Sequence, residues 1–374
     1  MNIISATYVT FLMKHGLSLL EVNLVNTFFF VTLFVCEIPT GAFADIFGRK
    51  ASFLVSCTLT SLSMFVYGAS STFVGFVCAE MIAAIGLTFR TGAFQAWLVD
   101  SLRHQGYQGS LHRIFARESL ANQIGGGLGA IGGSYLAVAH PSLPWFVGGA
   151  TMTIVALMGY FTMKEEYFVR SLFSWKEGLH SMYGVAKSSI RYSLEDKAVR
   201  FILIVTFLTI YSVQALNMYW QPLFRDHQIK EAHLGFVFAG MKIFLAVGAL
   251  WASRLHGEGR ERQIILRTMI YVGVMVGLAA VAPSPIIAIS LFWIHEIGRG
   301  FWDPMIDSYL HKRIPSHERA TVSSFCSTAP RLGGAIGLVT SGFIAQTFGI
   351  TTSWLVASLV LIVGAILVRK NGGD

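Results

Sequence analysis

Gly41-Ala42-Phe43-Ala44-Asp45-Ile46-Phe47-Gly48-Arg49-Lys50 joins two apolar runs, residues 22–44 and 51–70. A helix needs about 20 mainly apolar residues to cross roughly 30 Å of hydrocarbon, and both runs are long enough. The ten residues at their junction read as a tight, charged turn. Gly41 lets a helix end approach a neighbour and Gly48 permits the reversal. Asp45 and Arg49 stand four apart, within ion-pair reach if the turn stays helical.

The alternation of apolar run and short basic turn continues along the chain. Further runs cover 73–99, 114–139, 143–163, 199–222, 234–253, 264–283, 285–308, 320–347 and 351–368, which with the first two makes eleven full spans. Asn2 to Met13 is apolar but too short to cross. It lacks the charged start and small-residue cleavage site of a signal peptide and reads as the end of another span. Of the 374 residues 54% are hydrophobic and 13% charged, whereas a soluble domain carries about 25% charged residues. Mean hydropathy is +0.60. The chain is therefore expected to be an all-α polytopic protein solvated by membrane lipid.

The net charge of +8 does not point to nucleic acid, because the basic residues sit in short turns and form no long tract. If the Arg49 turn is cytoplasmic, that side holds 21 of the 28 Lys and Arg residues. The opposite side holds Lys14, Arg225 and Lys230, while Arg90, Lys242, Arg299 and Arg331 lie inside spans. This asymmetry fixes an orientation with a cytoplasmic C-terminus in a plasma (cytoplasmic or inner) membrane. Cys36, Cys57, Cys78 and Cys326 fall within apolar runs without C-x-x-C spacing, so neither metal nor disulfide framework is expected.

Residues 164–198 differ from every other turn. They are polar and amphipathic, with Phe168, Leu172, Trp175, Leu179 and Met182 recurring every three to four residues, and read as a cytoplasmic linker helix joining bundles 1–163 and 199–374. The bundles resemble each other. At an offset of 207 the pair Asp100-Ser101 falls on Asp307-Ser308, and at 208 Gly125 and Gly129 fall on Gly333 and Gly337. A duplicated six-helix unit would give twelve spans, so about ten residues of a first helix are expected to be missing here.

With the turn, the charge topology, the repeat and the linker in place, the decade Gly41 to Lys50 resembles the major facilitator superfamily signature, G-x-x-x-D-(basic)-x-G-R-(basic), at the loop between spans two and three. Ile46 and the shortened first helix depart from that pattern. The resemblance implies two pseudo-symmetric six-helix bundles and transport of a small solute by alternating access. It also implies a cytoplasmic latch in which Gly41, Asp45, Gly48, Arg49 and Lys50, with Asp100 as second acidic partner, hold the halves together when the site faces outward. The second half keeps only a worn copy at Ala252 to Arg260, without the aspartate.

A charge in the bilayer costs at least ~2.5 kcal/mol, so intramembrane ionisable groups are functional candidates. Glu37 precedes the turn by one helical turn, and Glu80 and Arg90 share the fourth span of the full design. His295, Glu296, Arg299 and Asp303 share the tenth, with the last three spaced so that one face neutralises its own charges. Arg90 and Glu296 each lie roughly 15 Å deep at about 1.5 Å per residue. A carboxylate beside arginine in a low-dielectric cavity takes up a proton when its partner moves away, which makes Glu296 the first choice for proton coupling. A fixed ion pair is the structural alternative. Gln95, Gln214, Asn217, Trp220, Gln221 and Trp302 offer hydrogen bonds and stacking surfaces to a ligand. The stripe Gly125, Gly129, Gly133 is expected to let two helices pack closely.

No nucleophile elbow, zinc-protease motif or phosphate loop occurs, so neither an enzyme nor a cofactor is expected. The reading is a monomeric secondary transporter coupled to protons, an antiporter working in efflux. An importer of a sugar or organic anion, or a transport-inactive sensor or interaction protein on the same scaffold, are the alternatives.

Overall fold

The computed structural model describes residues 2–91, 93–165, 196–255, 259–313 and 328–370; the side chains of Ile38, Ala42, Asp45, His112, His311, Thr328 and Ala329 lie outside the description. Every regular element among the described residues is helical. A 3-10 turn at Asn2–Ile4 leads into α1 (Tyr8–Lys14), α2 (Leu19–Phe47), α3 (Arg49–Ala69), α4 (Phe73–Arg90), α5 (Ala93–His104), α6 (Leu111–Ala139) and α7 (Leu143–Thr162). After the gap come α8 (Lys197–Asp226), α9 (Glu231–Arg254), α10 (Glu261–Ala280), α11 (Pro285–Gly300), α12 (Trp302–Arg313), α13 (Thr328–Phe348) and α14 (Ile350–Lys370). The expected linker helix falls almost wholly outside the described residues.

Local chemistry sets the helix ends. Ser18 and Glu21 form a reciprocal capping box at the start of α2, with the Ser18 amide donating to Glu21 Oε2 at 2.8 Å, which satisfies otherwise orphaned donors. Asp196 Oδ1 accepts from the amides of Ala198 and Val199 at 2.8 and 2.9 Å and starts α8. The turn expected at Gly41 is a helix: α2 runs through it to Phe47, because no residue there breaks the helix before Gly48. Gly48 has φ +94°, ψ 160°, a conformation essentially confined to glycine.

Among the described residues, eight helical stretches are long and apolar enough to cross a membrane: α2, α3, α4 with α5, α7, α8, α9, α10 and α14. Three of the eleven expected spans fall short for separate reasons. α6 carries Arg113, Arg117 and Glu118 and is rich in glycine. The run 285–308 is divided at Phe301 into α11 and α12, and the start of the run 320–347 lies outside the described residues.

α2, α3, α4 and α7 pack on one another, as do α8 with α13 and α14, α9 with α11, and α10 with α11 and α14. Two large pairings, α2 with α13 and α6 with α9, join these groups, and α1 also packs on α8. One buried cluster gathers Phe11, Tyr67, Phe76 and Trp145, and a larger one gathers Tyr219, Phe224, Phe292 and Trp354. Large apolar side chains also cover the outside, including Phe161 at 76% and Ile286 at 77% exposure. So much exposed apolar surface suits lipid as solvent.

The glycine stripe of α6 has an unexpected partner. Gly129 and Gly133 receive the main chain of Ile3, where a Cβ at Gly133 would strike the Ile3 carbonyl. The stripe therefore seats the 3-10 turn. In α13, Gly333 and Gly337 press on the main chain of Phe207 and Tyr211 in α8, a close helix–helix approach.

Candidate functional site

A cavity of about 430 Å³ lies between the two helix groups. Tyr8, Asn26, Phe29, Phe30, Tyr67, Glu80 and Trp145 line it from α1, α2, α3, α4 and α7, and Gln214, Asn217, Trp220, Gln221 and Phe238 from α8 and α9. Glu80 alone carries a formal charge among the described lining residues, and it is 8% exposed. Aromatic planes back both walls. Tyr67 stacks on Trp145 at 4.1 Å between centroids, and Trp220 lies 6.4 Å from Phe238 and 6.2 Å from Phe292.

Four helices converge on the Glu80 carboxylate. The Tyr67 hydroxyl donates to Glu80 Oε2. Tyr8 and Tyr67 hydroxyls are 3.1 Å apart, and Asn26 Nδ2 donates to the Tyr8 hydroxyl at 2.8 Å. Because the Tyr67 proton is committed to Glu80, Tyr8 must donate to Tyr67. All three donors then run one way, from amide to carboxylate, the polarity that stabilises a charged acceptor in a dry site.

Sequence reasoning places Gln221 among the ligand groups, and the structure assigns its amide elsewhere. Its Oε1 accepts from the amides of Val9 and Thr10 at 2.9 and 3.3 Å, and its Nε2 donates to the Ser5 carbonyl at 2.9 Å. A glutamine of α8 thus caps α1. Three more polar contacts tie the groups together near the same end. Lys14 Nζ meets Glu231 at 2.5 Å, Asn23 Nδ2 donates to the Leu338 carbonyl at 2.7 Å, and the Leu19 amide donates to Gln346 Oε1 at 3.1 Å.

At the opposite end of α2, the Arg331 guanidinium of α13 grips both carboxylate oxygens of Glu37. Nearby, Arg49 pairs with Asp100 of α5. The amides of Arg49 and Lys50 donate to the Glu165 carboxylate at 2.8 and 3.1 Å, and Lys50 Nζ donates to the Tyr160 carbonyl at 2.9 Å. A Cβ on Gly48 would strike that Glu165 carboxylate. These partners all belong to the first helix group, so here Arg49 braces its own half, and it is Glu37 that reaches across. The Asp45 side chain, and with it the expected Asp45–Arg49 pair, lies outside the described residues.

The second group has a comparable tie with its charges exchanged. Glu261 at the start of α10 meets Lys312 of α12 at 2.6 Å and accepts from Ser308 at 3.4 Å. In the first group the helix start supplies the cation, Arg49; in the second it supplies the anion.

On α11, Arg299 Nη1 donates to Glu296 Oε1 at 2.7 Å, and His295 Nε2 lies 3.6 Å from the same oxygen. His295 and Glu296 are buried, away from the cavity. Asp303 lies past the interruption at Phe301, exposed on α12 and within electrostatic reach of Arg299. Trp302 is buried behind that break. Arg90 is exposed and ends α4, since the chain turns at Thr91 before α5, and Gln95 is exposed on α5. The predicted candidates that meet at the cavity are Gln214, Asn217, Trp220 and Gln221. Glu80 was legible only as an ionisable group in a span, and Tyr8, Asn26 and Tyr67 carry no spacing that links them.

Helices long and apolar enough to cross a membrane, with a cavity walled by both helix groups, are the architecture of a membrane transporter. The family model of the Major Facilitator Superfamily matches residues 1–329 and 202–371, and the chain belongs to that superfamily. It is 24% identical over 383 residues to an uncharacterized MFS-type transporter, YxaM, of Bacillus subtilis, covering 98% of this chain and 91% of that protein. Among solved structures, the nucleoside transporter NupG superposes with a TM-score of 0.81 at 14% identity, covering 99% of this chain and 94% of that one. A D-xylose-proton symporter superposes with a TM-score of 0.70 at 15% identity, covering 100% and 94%.

Proposed function

We propose that the chain is a proton-coupled secondary transporter that moves a small amphipathic organic solute outward across the plasma membrane by alternating access, as a monomer built of bundles 1–163 and 199–374. The observation that carries this reading is the cavity itself: both helix groups contribute its walls, and one buried carboxylate sits among its aromatic rings. Four polar contacts close the Lys14 end. With the basic turns facing the cytoplasm, that end is the outer one, so the cavity belongs to a conformation sealed from outside. Opening it requires these contacts to part while others form at the Arg49 end, and a solute shifts that balance by its different affinity for the two states.

The test is reconstitution into liposomes holding a trapped pH indicator and carrying an imposed pH gradient. Amphipathic cations, nucleosides, pentoses and organic anions are added in turn. One class is expected to collapse the gradient only in liposomes that contain the protein. If none moves protons while labelled counterflow of a solute is intact, coupling to protons is wrong.

A further inference from the structure

Glu80 stands in an unusual position for a buried carboxylate: no lysine, arginine or histidine lines the cavity with it among the described residues. The groups facing it are the hydroxyl of Tyr67 from α3, the hydroxyl of Tyr8 from α1 beyond it, and the neutral amide of Asn26 from α2. His15, which follows α1, meets Phe76, one turn before Glu80, edge-on at 5.6 Å between centroids. Across the cavity, Lys242 lies behind the wall with its ammonium 5.2 Å from the Phe238 ring. A buried charge without a counter-charge is costly. The site therefore has two inexpensive states, one with a proton on Glu80 and one with an external cation beside it.

The remaining lining discriminates between possible cations. Phe29, Phe30 and Phe238 line it with half-buried rings, backed by the almost fully buried Tyr67, Trp145 and Trp220, and aromatic rings attract organic cations once water is excluded. A metal ion would need several oxygen ligands converging within coordination distance, and one carboxylate among aromatic rings does not supply them. An anion would meet the Glu80 carboxylate with no base to offset it.

We infer that this cavity takes a monovalent organic cation with a lipophilic or aromatic body, and that the cation replaces the proton of Glu80. The inference rests on the transport reading above only for its physiological use; the exchange itself is an equilibrium property of the site. The step balances: neutral Glu80 carboxylic acid plus one cation gives the carboxylate–cation pair plus one proton, which leaves to solvent. The Asn26–Tyr8–Tyr67 chain supports the carboxylate whenever the proton has gone.

The experiment uses the full chain in lipid nanodiscs, without a gradient, and two probes of equal size and opposite charge, tetraphenylphosphonium and tetraphenylborate. Calorimetry in buffers of different ionisation enthalpy is expected to give saturable binding of the phosphonium with release of about one proton. Its affinity should fall about tenfold for each unit of acidification in the range where Glu80 is protonated. Glu80→Gln should lose tenfold or more in phosphonium affinity and the proton release with it, and Tyr67→Phe should bind more weakly while still releasing the proton. Specific borate binding of equal strength, phosphonium binding without proton release, or undiminished binding by a folded Glu80→Gln variant would each overturn the proposal. Gradient-driven flux of a neutral solute without phosphonium binding would overturn it and leave the transport reading standing. Binding with proton release but no flux in liposomes would do the reverse.

Discussion

Arg331 and Glu37, 294 positions apart in sequence, form a two-pronged ion pair that bridges α2 and α13. Its side chains are 20% and 35% exposed, so solvent screens part of its strength. Removing it should cost the bridged conformation about 1 kcal/mol, roughly a fivefold shift in population. Arg331→Gln is expected to raise the labelling rate of a cysteine placed at position 34, and exchange of the two charges (Glu37→Arg with Arg331→Glu) to restore it in part. Identical labelling in all three proteins would show that the pair does not hold this end.

Gln221 makes its contribution through α1. Gln221→Leu keeps the volume but leaves two buried amides and a carbonyl without partners, each costing about 1–3 kcal/mol. Hydrogen exchange over residues 5–14 should quicken by an order of magnitude or more, and the melting temperature should fall. Unchanged protection of Val9 and Thr10 would contradict the cap.

Gly48 should tolerate no side chain. Gly48→Ala introduces backbone strain of about 1–3 kcal/mol and drives a methyl into the Glu165 carboxylate. The variant is expected to melt lower than wild type, and pairing it with Glu165→Ala should recover the steric part but not the backbone part. A double variant as stable as wild type would mean that φ at this position is not fixed.

Glu261 and Lys312 supply a test of the exchanged charges in the second half. Glu261 is 2% exposed and Lys312 48%, so Glu261→Gln leaves a solvated lysine, whereas Lys312→Met leaves a buried carboxylate unpaired. The second change should be the more destabilising, by about 1 kcal/mol or more. A thermal-shift series giving the opposite order would place Glu261 in a wetter setting than its burial indicates.

The family and the helical membrane class were readable from periodicity, composition and the Gly41 to Lys50 signature, because each is a local property that a linear pattern carries. Helix breaks were less visible. Thr91 and Phe301 are ordinary residues inside apolar runs, and hydropathy does not register the helix ends there. The site was least legible. Residues 8, 26, 67 and 80 meet only because α1, α2, α3 and α4 converge, and no spacing along one helix foretells that. Spacing also did not show that α11 ends before Asp303, which lies on α12 apart from Glu296 and Arg299.

The pairing of α2 with α13 also has a bearing on how the protein is made. Leu19 is made 327 residues before its partner Gln346, and Asn23 is made 315 residues before Leu338. Until α13 follows, α2 must wait in the bilayer with these polar groups unmatched, so the earlier-made half depends on lipid, or on an insertion chaperone, to shelter a seam that only a much later stage of translation completes.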